Sequence, residues 1–364
     1  MSEHIRQARA GDVSRLAEGE WLQGISRASR KGETSMNELK HVLVTLEMSE
    51  EKKQQLREAF GDQVKLSFFP RKDREALIKG LETADALLLD GDIDDLVLTG
   101  KNLKWIHCDH SGLTYSARPE VFERGLLVTG SAGRTAPALS EHAILFMLAL
   151  TYDLRNVMGQ QEKHQWGGLP GYLDRRGLIG HTAGIIGMGH TGRQLACYLK
   201  NMGMTVLGYR RRDKKEPFFD KVYCEDKGET IDELLKESDY VILTIQLNDK
   251  TYHMIGKEQF KMMKSTAYLI NMCRGAVIDE DAMIHALKNG QIAGAGIDTT
   301  SVEPLPADSP LWDAPNLIIT PHCTPTVPDK LQNSLNIIKE NICRYHAGKT
   351  LKNLLTREDV YTHE

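Results

Sequence analysis

The chain has 364 residues, 41% of them hydrophobic and 26% charged, with a formal net charge of -4. That length accommodates two ordinary domains, each with its own core, and the slightly acidic balance argues against nucleic acid as the default partner. There is no apolar run of about 18 residues and no secretory leader pattern, so a cytoplasmic protein with no membrane partner is expected.

Residues 1–35 carry mixed charge and at most one amphipathic helix, starting near Asp12; they read as an N-terminal extension of no assignable role. From Met36 the pattern changes. "HVLVTL" predicts a strand and "SEEKKQQLREAF" a helix, with Ser49 as its N-cap and Gly61 just past its end. "ADALLLD", "LKWIHC" and "GLLVTG" are further short apolar strands, and "DREALIKGL" is a helix, giving an α/β layer up to about residue 135. The long helix of "ALSEHAILFMLALTYDL" is too apolar for a solvated face and is expected to pack between layers or subunits.

The next stretch alternates strands and helices: "TAGIIGMG", "TVLGY", "DYVILTI", "AYLINM", "AGAGID" and "NLIITPH", with helices such as "TIDELLKE", where Thr230 and Glu233 match a capping box. Strands this apolar are buried on both faces, as in a parallel doubly wound sheet. After Pro328 the amphipathic "KLQNSLNIIKENICRYHAG" predicts a helix that returns to the first layer. The expected fold is therefore α/β, with a Rossmann-type doubly wound domain at 136–325 inserted into a second, flavodoxin-like α/β domain at 36–135 and 326–364.

Gly187, Gly189 and Gly192 form GxGxxG directly between a strand and a helix. In that context the first glycine serves the tight turn, the second lets a pyrophosphate approach the backbone, and the third lets helix and strand pack closely, with His190 and Thr191 offering amides. An acid for the adenosine ribose is expected about 20 residues further on. Arg210 stands there instead, followed by Arg211 and Arg212 in "TVLGYRRRDKK". An arginine attracts and grips a 2'-phosphate where an aspartate would repel it, so NADP(H) is the expected cofactor, with NAD(H) as the alternative. A merely solvated basic turn is the other reading of the same residues.

The segments "INMCRGAVIDEDAM", "GIDTTSVEPLP" and "LIITPHC" each follow a strand of this sheet, where an open α/β sheet binds its ligand. Together with the glycine loop they resemble the D-isomer-specific 2-hydroxyacid dehydrogenase family, from Met36 to about residue 355. The resemblance implies a substrate-binding and catalytic Arg274 in N-x-x-R-G-x-x-x-D (Asn271, Arg274, Gly275, Asp279), a catalytic Glu303 before Pro304, and a catalytic His322 in T-P-H. Reduction of a 2-oxo acid needs a hydride donor, a cation for the carboxylate and a proton for the new alkoxide, so these residue types suit the chemistry. By the same resemblance, Ser111, Gly112 and Leu113 in "HSGLT" hold the substrate carboxylate opposite Arg274. Met272 and Cys273 contact the cofactor, and Asp298 makes a cofactor or interdomain contact.

Two departures from the family pattern stand out: Thr114 where an Asp is common, and Arg134 and Thr135 in place of apolar residues at the nicotinamide side. Trp166 and Tyr172, in a glycine-rich loop, could cap a pocket or pack as ordinary loop residues. The six cysteines are scattered without metal-binding spacing, so no metal is expected. The implied activity is NADP(H)-dependent reduction of a small 2-oxo acid such as glyoxylate, hydroxypyruvate or pyruvate to the D-hydroxy acid, by a homodimer. The alternatives are a phosphoglycerate dehydrogenase-like enzyme and a dinucleotide-sensing corepressor.

Overall fold

The computed structural model describes residues 38–168 and 177–363. The N-terminal extension and Tyr172 lie outside the described residues.

Two all-parallel sheets carry the chain, one of five strands in the order β2-β1-β3-β4-β5 and one of seven in the order β12-β11-β10-β9-β6-β7-β8. The first comprises β1 (His41–Val44), β2 (Lys65–Phe68), β3 (Ala86–Leu89), β4 (Trp105–Cys108) and β5 (Leu127–Gly130). Its order is flavodoxin-like, and β1, β3 and β4 are buried along their whole length because helices cover both faces. The second comprises β6 (Thr182–Ile186), β7 (Thr205–Arg210), β8 (Lys221–Cys224), β9 (Tyr240–Leu243), β10 (Tyr268–Asn271), β11 (Gly294–Ile297) and β12 (Leu317–Ile319). Its chain order reverses between β6 and β9, and at that switch point the loops after both strands open into a crevice.

Helix Ala136–Thr151 lies on the second sheet, where it packs against helix His190–Asn201 and strands β10 and β11. Gly296 admits it: a β-carbon there would meet Phe146 Cγ at 2.6 Å. Phe146 and Met147 are fully buried, each contributing about 1.5–3 kcal/mol of apolar transfer energy. The predicted continuation of this helix breaks at Asp153, whose φ of 49° is left-handed, and a second helix runs over Leu154–Glu162. The chain returns to the first sheet as expected: Leu335, Ile338, Ile342 and Tyr345 of helix Lys330–His346 join the core around Val42 and Trp105, with Tyr345 stacked on Trp105 at 5.6 Å. The Rossmann-type sheet is thus inserted into the flavodoxin-like one.

Ser49 caps its helix through Lys52 N, as its spacing predicts. The capping box at Thr230 and Glu233 does not form. Helix Asp232–Glu237 starts after Ile231, Thr230 Oγ1 accepts only from Asp232 N at 3.3 Å, and Glu233 pairs with Lys236 instead.

Candidate active site

The three glycines after β6 do three different things. Gly187 has φ +101° and lies so close to the chain after β9 that a β-carbon would meet Ile245 N at 2.7 Å. Thr244 Oγ1 secures the turn by donating to Gly187 O at 2.6 Å. Gly192, one turn into helix His190–Asn201, packs directly on the Gly187 carbonyl. Gly189 has an ordinary φ of -77°, and a β-carbon on it would meet nothing within 4 Å. That open face, beside the first amides of a helix, is a cradle of the size and polarity a pyrophosphate requires. Gln246 adds, on the same wall, a buried Nε2 with no hydrogen-bond partner among the described residues. The residues present therefore fit a dinucleotide. Burial pulls the His190 pKa below the ordinary value.

Beyond Gly189 a side cleft of about 440 Å³ is lined by Arg210, Arg211, Arg212, Ser111, Leu113 and the segment Asn353–Thr356. Its cations already have carboxylates. Arg210 Nη1 donates to Glu216 Oε1 at 3.0 Å and to Lys214 O at 3.2 Å. Burial would raise the Glu216 carboxyl, but Arg210, Arg193 and Lys214 together hold it below the usual range. Arg211 Nη2 pairs with Glu358 at 2.8 Å, and Arg212 Nη2 reaches the same oxygen at 3.6 Å.

The main cleft, about 680 Å³, lies between the carboxyl ends of the two sheets. Arg274 follows β10 and spans it. Its Nη1 donates to Cys273 O at 2.7 Å and its Nη2 to Gly112 O at 3.4 Å on the opposite wall. The rest of the arginine motif is architecture: Asn271 Nδ2 donates to Arg274 O, Gly275 fits only because a β-carbon would collide with the Thr300–Ser301 backbone, and Asp279 caps helix Glu280–Lys288. Across the cleft His322, at a left-handed φ of 48°, is hydrogen-bonded through Nδ1 to Glu303 Oε2 at 2.8 Å. The second Glu303 oxygen accepts from Thr300 N at 3.0 Å, so the carboxylate is fixed at both ends. With Nδ1 donating to a carboxylate, Nε2 is the ring nitrogen left for chemistry.

Asp298 is buried under the same segment, where Oδ1 accepts from Thr320 Oγ1 at 2.5 Å and Cys323 N at 3.3 Å. It shapes the turn that presents His322. The main cleft gathers Ser111, Gly112, Gly187, Gly189, His190, Thr191, Met272, Cys273, Arg274, Asp298 and His322. Leu113, Arg210 and Arg211 line the side cleft; Gly192 lies beneath the loop, and Glu303 stands behind His322. Burial pushes the Cys273 thiol up to about 11, so it packs as an apolar group.

Two participants, His110 and Asp92, escaped the sequence reading. His110 Nδ1 donates to Gly112 O at 2.9 Å, and its other nitrogen is 3.4 Å from Asp92. Burial would raise the Asp92 carboxyl, yet hydrogen bonds from His110 and Ser116 and the charge of Arg274 hold it low. Its location in "DGDIDD", just past a strand end, was the available signal. Thr114 crosses between lobes, donating to Leu247 O at 3.3 Å. Arg134 is buried against Asp109 at 2.8 Å and Ser334 at 3.0 Å, and Thr135 lines the cleft beside it. Trp166 is fully exposed and lines neither cleft.

Residues 144–324 match the family described as D-isomer specific 2-hydroxyacid dehydrogenase, NAD binding domain. A glyoxylate reductase of Thermofilum pendens is 33% identical over 78% of this chain and 85% of its own length. A second, from Korarchaeum cryptofilum, is 35% identical over 66% of this chain and 72% of its own. The chain belongs to the D-isomer-specific 2-hydroxyacid dehydrogenase family. Among solved structures, the family protein from Aeromonas salmonicida superposes with a TM-score of 0.72 at 26% identity, covering 87% of this chain and 99% of that one. This dehydrogenase is accordingly an oxidoreductase of 2-hydroxy acids that uses a nicotinamide dinucleotide. No helix among its described residues is long and apolar enough to cross a membrane.

Proposed function

We propose that this dehydrogenase reduces a small 2-oxo acid of the glyoxylate, hydroxypyruvate or pyruvate class to the D-hydroxy acid, with NADP(H) preferred. The observation that carries the reading is the pairing, across one cleft, of Arg274 on Gly112 with His322 on Glu303. When bound, the reduced dinucleotide supplies the hydride to the substrate carbonyl carbon. Arg274 binds the substrate carboxylate with a planar fork, aided by the amides of Ser111, Gly112 and Leu113. His322 gives the Nε2 proton to the carbonyl oxygen, and Glu303, at Nδ1, orients the ring and stabilises its protonated form.

Gly187, Gly189, His190, Thr191 and Gly192 form the pyrophosphate cradle, with Met272 and Cys273 on the nicotinamide side. Asp298 serves that side indirectly, through the 320–323 turn. Arg210 and Arg211 are assigned to the adenosine 2'-phosphate; their place at the end of β7 supports this. We divide the chain into a dinucleotide-binding domain at 136–325 and a substrate domain at 36–135 with 326–364.

Leu154, Val157 and Met158 form one exposed apolar face on their helix, and Leu145 and Tyr152 just before that helix are exposed as well. A face of this kind supports a homodimer. Rates for glyoxylate, hydroxypyruvate, pyruvate and 3-phosphohydroxypyruvate with NADPH and NADH side by side test the assignment. Faster turnover with NADH overturns the cofactor preference, and a preference for the phosphorylated acid overturns the substrate class.

A further inference from the structure

The last described residues form a strap across both lobes. On the first lobe, Leu355 N donates to Val128 O at 2.8 Å and Arg357 Nη2 to Phe122 O at 3.5 Å. On the second, Asn248 Nδ2 donates to Glu358 O at 3.2 Å, Asp249 N to Val360 O at 3.2 Å, and His363 stacks on Tyr252 at 4.0 Å. Thr356 and Asp359 close a tight turn between these anchors, with Thr356 N donating to Asp359 Oδ2 at 2.7 Å. That turn holds Glu358 against the arginine block and makes the strap one wall of the side cleft.

Arg211 and Arg212 share the single Glu358 carboxylate, whereas Arg210 is engaged from its own lobe by Glu216. Glu358 is also much more exposed than Glu216, with 49% against 6% of its side chain accessible. Of the two carboxylates it is the one an incoming anion can displace, since an exposed pair is weakly held and carries no burial penalty for breaking.

We infer that Glu358 is a specificity-determining residue that competes with the cofactor 2'-phosphate for Arg211 and Arg212, and so sets the ratio of NADP(H) to NAD(H) binding. This inference rests on the proposed assignment of Arg211 to the 2'-phosphate and extends it to Arg212, which shares the same carboxylate. A dianionic phosphate offers these two arginines more charge and more acceptors than one carboxylate does, so it displaces Glu358 and loosens the strap. A dinucleotide carrying only a 2'-hydroxyl leaves Glu358 in place.

Calorimetric titration of the full chain with 2',5'-ADP and with 5'-AMP separates these claims without turnover. In Glu358→Gln, 2',5'-ADP is expected to bind roughly three- to fivefold more tightly while 5'-AMP is unchanged. Amide exchange of residues 356–363 is expected to speed up when wild type binds 2',5'-ADP and not when it binds 5'-AMP. An equal change for both nucleotides, or no change for either, overturns the role of Glu358. The cofactor preference is read separately from wild type and Arg211→Ala. If wild type binds 5'-AMP as tightly as 2',5'-ADP, that preference fails, and a selective gain of 2',5'-ADP in Glu358→Gln still establishes the competition.

Discussion

The guanidinium of Arg274 rests on the bare α-carbon of Gly112, in the space that any β-carbon there would occupy. One residue from each lobe is thereby fitted to the other. The glycine is needed for a close approach, since it is not among the residues with left-handed φ.

Gly112→Ala should consequently leave the fold intact and displace Arg274 from the place proposed for the substrate carboxylate. A displacement of about 1 Å in a positioning group costs on the order of 100-fold in kcat/KM. Steady-state kinetics should show that loss with dinucleotide affinity unchanged. Full activity in the alanine variant would mean that Arg274 does not position the substrate where it stands.

His322 and Glu303 lend themselves to the same treatment, with a different split. Removing the proposed proton donor in His322→Ala should lower kcat by about 10²- to 10⁴-fold, the range for one positioned acid or base. Glu303→Gln keeps the hydrogen-bonding shape and removes the charge that stabilises a protonated ring, so it should lower kcat while leaving KM for the oxo acid nearly constant. Equal losses in kcat and in dinucleotide binding would show that the pair is structural.

Much of this was legible in the sequence because the signals are local. The glycine triplet and its flanking strand, the apolar strands of both sheets and the Ser49 cap each depend on residues within a few positions. The arginine motif was legible in type but not in reason: Asn271, Gly275 and Asp279 build the turn and the next helix, and only Arg274 faces the cleft. What stayed hidden are contacts between distant segments, among them Glu358 on Arg211 and Thr114 on Leu247, for which neither charge nor spacing names a partner. The failed capping box at Thr230 has a local cause, since the helix begins a residue later than that pattern requires.

A buried relay behind the substrate loop leads to a prediction about pH. Trp105 Nε1 donates to Thr129 Oγ1, and His107 lies between Thr129 Oγ1 and Ser131 Oγ, each at 2.9 Å. Ser131 Oγ in turn donates to Asp109 Oδ1 at 3.0 Å, so Ser131 accepts from His107 Nε2 and Thr129 donates to Nδ1. The ring must then be neutral, and burial lowers its pKa from 6.5 to about 4. The unfolded chain binds this proton below pH 6.5 and the native state only below about 4, so stability falls with pH across that window and levels off beneath it. The contribution lost at the acid end is about 3 kcal/mol. Denaturation midpoints from pH 7 to 4 should fall less steeply in His107→Gln than in wild type. Parallel curves would show that His107 does not titrate as its burial requires.

The apolar face of Leu154, Val157 and Met158 bears on assembly. A homodimer formed through it should dissociate when Val157→Glu and Met158→Glu place two carboxylates where apolar contact is needed. Light scattering should show the mass halved, with the circular dichroism spectrum retained. A wild-type mass equal to one chain would remove this face as the site of self-association.

The glycine loop permits a sharper separation between folding and binding. Gly192 packs on the Gly187 carbonyl, and Gly189 opens onto the cleft at a φ any residue adopts. Gly192→Ala must therefore push helix and strand apart, with an overpacking cost of about 1–3 kcal/mol visible in a denaturant titration. Gly189→Ala should melt with wild type, yet its methyl group projects into the space a pyrophosphate needs, so dinucleotide affinity should drop by tenfold or more. Fluorescence titration with NADPH and NADH should show the same loss for both, because the pyrophosphate is common to them. A loss confined to one dinucleotide would place Gly189 near the adenosine end instead, and an unstable Gly189→Ala would mean that its open face is filled by the protein itself.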